Sequence, residues 1–177
     1  MSTILSIGQL ATAILFGAAG ISHIKNPLPL SRSLASLRKR HQRHASKTVV
    51  VLWGALEGAL SILLILALVD PNGISAMPAR ATAVLVSAGY VAFLVYSVSV
   101  GYPWCACNSH RSRVNTATVA RPLLMGGACI VSADMALGAY GGGEIAGILL
   151  AGFALAILGW SLPEAIGELE SVGSAVV

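Results

Sequence analysis

The sequence predicts an all-α integral membrane protein, a bundle of four to five transmembrane helices with five favoured. Three observations carry this. Hydrophobic residues make up 56% of the 177 and charged residues only 10%, too few to cover a water-facing surface. Apolar runs of hydrocarbon length recur, each closed by helix breakers. The basic residues gather in two of the intervening loops. Mean hydropathy is +0.81, and most of the chain is taken up by the spans, so residues 1–177 read as a single transmembrane domain.

A helix crossing a core of about 30 Å needs roughly 20 residues. The runs Ile4–Ile24, Val49–Val69, Ala81–Val100, Ala117–Leu137 and Ile145–Trp160 meet or approach that length, the last being the shortest. Asn26-Pro27 with Pro29 end the first. Asp70-Pro71-Asn72-Gly73 follows the second, Pro103 the third, and Gly141-Gly142-Gly143 precedes the fifth. Such residues remove a donor or permit positive φ. The first run has no Lys or Arg before Lys25 and exceeds an h-region, so it reads as an uncleaved helix rather than a signal peptide. With lipid as the solvent, association between helices rests on close packing of small residues, and the 19 glycines suit that.

Net charge is +4 and the pI about 9.3. The basic residues sit beside apolar spans, so topology explains them better than nucleic-acid binding does. Lys25, Arg32, Arg38, Lys39, Arg40, Arg43 and Lys47 lie between spans one and two. Arg111, Arg113 and Arg121 lie between spans three and four or at the start of four, and Arg80 alone falls on the other side. The positive-inside rule then places the N-terminus outside and both basic loops in the cytoplasm of a plasma (bacterial inner) membrane. Leu30, Leu34 and Leu37 have helical spacing ahead of the Arg38–His44 cluster. The loop over 25–48 is thus amphipathic, suited to anionic headgroups or to an acidic partner.

The loop over 101–116 carries the sharpest chemical signal, Trp104-Cys105-Ala106-Cys107-Asn108. Two cysteines one residue apart can close a small strained ring, and strain makes a disulfide exchangeable. Arg111 and Arg113 nearby favour the reactive thiolate, and His110 can take a proton. Thiol–disulfide exchange is one reading. A two-thiolate port for Cu, Zn or Hg at Cys105 and Cys107 is a second. Two loop cysteines without a role are the plain third. Three cysteines in all exclude a disulfide framework. Cys129, deep in span four beside Gly126, Gly127 and Ala128, reads as a small buried residue.

Glu57 lies near the middle of span two, where an ionisable group needs a partner, water or a proton. Arg121, about one turn into span four, is the residue whose side chain reaches toward it. If paired, they fix two helices around one polar site; otherwise Glu57 is protonated and only packs. Asp134 reads as interfacial. His23 closes span one, and no other span holds a histidine to complete a haem site. Trp53, Trp104, Trp160 and Tyr102 fall near span ends, as interfacial anchors do. No phosphate-binding loop, dinucleotide motif or zinc-protease motif is present.

Several of these segments together resemble the MauE family of methylamine-utilisation membrane proteins, within the broader DoxX-like group. Ala19-Gly20-Ile21-Ser22-His23-Ile24-Lys25-Asn26-Pro27 is similar to that group's A-G-x-x-K-x-x-x-P stretch, with His23 where Lys is frequent. Leu56-Glu57-Gly58-Ala59-Leu60 is similar to its E-x-x-x-G-like segment. Cys105-Ala106-Cys107-Asn108-Ser109 stands where the family has C-G-C-F-G, and Val119-Ala120-Arg121-Pro122-Leu123-Leu124 resembles its arginine-plus-leucine lead into helix four.

The resemblance implies redox maturation of a partner protein, in the family the disulfide-rich small subunit of methylamine dehydrogenase, alongside a thioredoxin-like protein. DoxX-like relatives add a quinone as electron acceptor. Cys105 and Cys107 would be the exchanging pair, Arg111 and Arg113 their thiolate-favouring neighbours, Glu57 and Arg121 the polar site between helices. The family's client is periplasmic, whereas the charge rule sets the cysteines in the cytoplasm. Electron relay across the bilayer, service to cytoplasmic thiols, and inverted topology all remain open. Two other classes stand beside exchange: a soft-metal carrier, and a non-catalytic membrane assembly subunit.

Overall fold

A computed structural model describes residues 2–37, 47–101, 104–105, 112–131 and 140–175. The elements are α1 (Ser2–Lys25), α2 (Leu28–Leu37), α3 (Lys47–Val69), α4 (Ala76–Ser99), β1 (Trp104–Cys105), β2 (Ser112–Arg113), α5 (Thr116–Val131) and α6 (Gly142–Ala175). In α1, α3, α4 and α6 the apolar stretches are Thr3–Lys25, Lys47–Val69, Ala76–Ser99 and Gly142–Ile166, each long and apolar enough to cross a membrane. Helix is the form such runs take, because it satisfies every backbone donor and acceptor within the segment when lipid offers none. The chain is thus a multi-pass membrane protein, with four helices of spanning length among the described residues. The fourth apolar run of the sequence, α5, is a 16-residue helix.

Two boundaries differ from the sequence reading. The third run begins at Ala76 rather than Ala81, because Pro78 sits in the first turn, where no intrahelical N–H is needed. The fifth run, shortest by hydropathy, is the longest helix at 34 residues. Its opening glycines occupy a first turn that Glu144 secures, Oε2 accepting the Gly141 N–H at 3.1 Å. Pro163 lies inside it without stopping it, as neighbouring helices in a bundle can support a proline's freed backbone. Asn115 Nδ2 donates to the Pro163 carbonyl at 2.8 Å. The same Asn115 caps α5: its Oδ1 accepts from the Thr118 N–H at 2.9 Å, and its own N–H donates to Thr118 Oγ1 at 3.4 Å. That is a capping box with threonine in the usual Glu position.

Contacts fix the helix directions. Gly20 meets Gly54, Gly17 meets Ser61, and Gln9 Nε2 donates to the Leu64 carbonyl at 3.1 Å, so α1 and α3 run antiparallel. Leu10 packs on Gly152 and Leu15 on Gly159, so α1 and α6 run parallel. Arg121 lies over Trp160 and Asn115 joins Pro163, so α5 opposes α6. The end of α1, the start of α3, the end of α4 and the start of α5 therefore share one end of the bundle. There β1 and β2 pair antiparallel, Trp104 with Arg113 and Cys105 with Ser112, and the pair touches α2, α4 and α6. The Leu30 side of α2 packs on Val50, with Leu34 and Trp53 beside it. At the opposite end, Asp70–Ser75 turns α3 into α4. Arg80, expected as a loop charge, is buried in the first turns of α4, and its Nη2 donates to the Ala67 carbonyl at 3.2 Å. That carbonyl belongs to the last turn of α3, where cations are favoured.

Glycine sets the closest contact. A Cβ on Gly20 would stand 2.5 Å from the Gly54 carbonyl oxygen and 2.9 Å from the Gly58 nitrogen; one on Gly54 would stand 2.7 Å from the Gly20 oxygen. The two backbones touch there, which the small-residue rule of membrane packing requires. Around this line the core closes on Phe16, Leu60, Leu64, Ala83, Met125 and Cys129.

Gly54→Val would force α1 and α3 apart and should lower stability by roughly 1–3 kcal/mol or more, read as a fall in the unfolding midpoint in detergent. Gly147→Ala, which points a methyl into open space, should change it by less than about 0.5 kcal/mol.

Candidate functional site

Beneath the glycine contact the helices bring their polar residues together. In a helix, positions three apart share a face. Gly20 therefore sets His23 toward α3, and Gly54 sets Glu57 toward α1. His23 Nδ1 and Glu57 Oε2 lie 2.8 Å apart, both side chains buried. Glu57 is ten residues into α3, about 15 Å along the axis from its first residue.

The second carboxylate oxygen is also engaged. Glu57 Oε1 accepts from Trp53 Nε1 at 3.2 Å, one turn earlier on the same helix, and from the hydroxyl of Tyr90 on α4. Trp53 Nε1 also reaches the Tyr90 oxygen at 3.0 Å, and the two rings meet edge to face, centroids 6.1 Å apart and planes at 76°. Arg121 on α5 lies within electrostatic reach of both Glu57 and Tyr90. Its guanidinium carbon stands 5.1 Å from the centroid of Trp160 on α6, a cation–π distance. All five long elements of the bundle thus contribute to one polar cluster.

The carboxylate accepts three hydrogen-bonding partners, which is how a buried charge is held without water. When Glu57 is ionised, the His23 proton sits on Nδ1 and donates to it. His23 Nε2 and the neighbouring Ser22 Oγ are buried and bond to nothing among the described residues. The arrangement can hold a proton between imidazole and carboxylate, with a tyrosine hydroxyl as a further link.

Of the residues singled out by sequence, Glu57 and Arg121 converge on this cluster. Cys105 and Arg113 stand on β1 and β2, at the end of the bundle where α4 finishes. Cys107, Arg111, His110, the Arg38–His44 cluster, Asp134 and Tyr102 lie outside the described residues. No group of three His, Cys, Asp or Glu able to hold a metal occurs among the described residues. Cys129 is buried within the core, as a small residue would be.

Sequence reasoning missed His23, Trp53, Tyr90 and Trp160 as members of the site. Trp53 and Trp160 read as interfacial anchors, and His23 as a helix end. A signal was there: Gly20-x-x-His23 and Gly54-x-x-Glu57 repeat one pattern, a small residue one turn before an ionisable one. Trp53 precedes Glu57 by four positions, a spacing at which helical side chains meet.

Comparison with protein-family models, with curated proteins and with solved structures finds no match. The site's chemistry therefore rests on its own geometry.

Replacing His23 with Ala leaves a buried carboxylate short of a partner and should cost about 3–5 kcal/mol. The double change His23→Leu, Glu57→Leu should lose much less, because no charge remains to be compensated. Chemical unfolding followed by tryptophan fluorescence in micelles would measure both.

Proposed function

We propose that this protein carries out thiol–disulfide exchange at the membrane surface, redox-maturing a partner protein through Cys105 and Cys107. One observation supports it above others. The backbone at the first of the two cysteines is tied by strand pairing, Cys105 opposite Ser112 and Trp104 opposite Arg113, against α2, α4 and α6. Cys105 is thereby held at one end of the bundle, with Arg113 on the facing strand and Arg111 close in sequence to favour thiolate. The resemblance to MauE proteins points the same way, toward maturation of a disulfide-rich client with a thioredoxin-like partner.

The exchange balances simply. A client thiolate attacks one sulfur of the Cys105–Cys107 disulfide and forms a mixed disulfide. A second client thiolate displaces it, leaving the client oxidised and the pair as two thiols. The two electrons and two protons then pass to a thioredoxin-like disulfide or a quinone, which restores the pair. Glu57 and Arg121 hold the helices beside β1 and β2 in fixed register.

In this reading α5 crosses with the other four. Its 16 residues span about 24 Å, and its direction opposes both α1 and α6. Five crossings set the N-terminus outside a bacterial inner membrane and the loop over 101–116 in the cytoplasm, on the same side as the basic loop over 25–48.

Maleimide trapping in a Cys129→Ala background tests the exchange. Two adducts are expected after reduction and none after oxidation. Labelling that is the same under both conditions would remove the proposal. Presented with the oxidised client, a Cys105→Ser variant should then accumulate a mixed disulfide, as the Cys107 thiolate attacks the client disulfide and releases one client thiol.

A further inference from the structure

One ring nitrogen of His23 takes no part in the polar cluster. Nδ1 is committed to Glu57 Oε2 at 2.8 Å, whereas Nε2 is buried and bonds to nothing among the described residues. Glu57 Oε1 is engaged from its other side by Trp53 Nε1 at 3.2 Å and by the Tyr90 hydroxyl. His23 is 2% exposed, yet Lys25 and Asn26, which follow it within one turn, are exposed. The imidazole therefore stands between the water-facing end of α1 and a carboxylate ten residues into α3.

Two proton arrangements fit this one set of heavy atoms. In the first, Nδ1–H donates to an ionised Glu57 and Nε2 keeps a lone pair. In the second, Nε2 carries a proton and Glu57 Oε2–H donates to Nδ1. Oε1 accepts from Trp53 and Tyr90 in both. Passing from the first to the second takes one proton from outside. A hydronium ion gives its proton to Nε2 and leaves as water. The Nδ1–H bond breaks with its electron pair left on Nδ1, and the new O–H bond forms on Oε2. No hydrogen-bonded pair of heavy atoms is exchanged for another.

We infer that His23 and Glu57 form a proton relay, which admits one proton at His23 Nε2 from the β1–β2 end of the bundle and stores it on the Glu57 carboxylate. Ionisable residues within spans are the material of such relays. Several charged and titratable groups surround the pair. Tyr90 faces it from α4, and Arg121 of α5 lies within electrostatic reach of Glu57. From α6 the half-buried Glu164 is at the same end; Arg32 of α2, Lys47 of α3 and Lys25 of α1 are exposed there. With Glu57 ionised, its charge opposes that of Arg121. Uptake of the proton leaves the guanidinium charge unopposed by Glu57, so the cluster reports its proton content as a change in charge. The relay stands apart from thiol chemistry: a cysteine-free protein would retain it.

Infrared difference spectra and nitrogen NMR of the full chain in micelles, followed as the pH is lowered, read both ends of the relay. The changes His41→Gln, His44→Gln and His110→Gln leave His23 as the one histidine. Its ring should switch from the Nδ1–H to the Nε2–H form as a protonated-carboxyl band appears, and Glu57→Gln should abolish that band. A doubly protonated His23 beside an ionised Glu57 would overturn the relay, because the proton then stops at the imidazole. So would the absence of a Glu57 band throughout the range in which the bundle stays folded. His23→Gln keeps a donor for the carboxylate but cannot pass a proton through its side chain. After a pH jump, Glu57 in that variant should take up its proton about a hundredfold more slowly; an unchanged rate would remove the proposal. If a single variant fails to fold, coincidence of the carboxyl band with the ring switch in the parent decides.

Discussion

The contact between Gly20 and Gly54 governs the rest of the molecule. Two helices whose backbones touch have no freedom to slide, because each glycine faces a carbonyl or amide of its partner. With register fixed, the next turn of each helix delivers an ionisable side chain to the same point, and His23 meets Glu57 at hydrogen-bond distance. Lipid cannot compensate a displaced carboxylate. The penalty for losing register is therefore paid in unsatisfied charge as well as in packing.

From that pair the constraint spreads outward. Tyr90 ties α4 to Glu57, Trp53 braces both, and Arg121 links α5 to the same charge while resting on Trp160 of α6. Interhelical polar contacts contribute modestly one by one, but these share atoms, and shared networks respond as a unit.

Much of the fold was legible from residue type alone. Hydropathy over 20-residue stretches marked five runs, four of which are helices of spanning length among the described residues, since lipid leaves helix as the only open-chain solution. Helix ends were less legible. Pro78 and Pro163 look alike in sequence, yet one sits in a first turn and the other within a continuous helix, a difference that only neighbours decide. For the site, an isolated carboxylate in an apolar run was informative because its burial is so costly. His23 was not, because its helix ends two residues later and nothing in the linear chain says that the end is buried. The aromatic partners were read by their distance from span ends, a rule that ignores which face they occupy.

Arg80 shows how a charge can be internalised within a helical hairpin. Its guanidinium closes the carbonyl end of the preceding helix, so α3, its turn and α4 form a hairpin already matched in polarity. A translocon handling the nascent chain would meet that pair as one insertion unit, its cation carried with a backbone acceptor already in place.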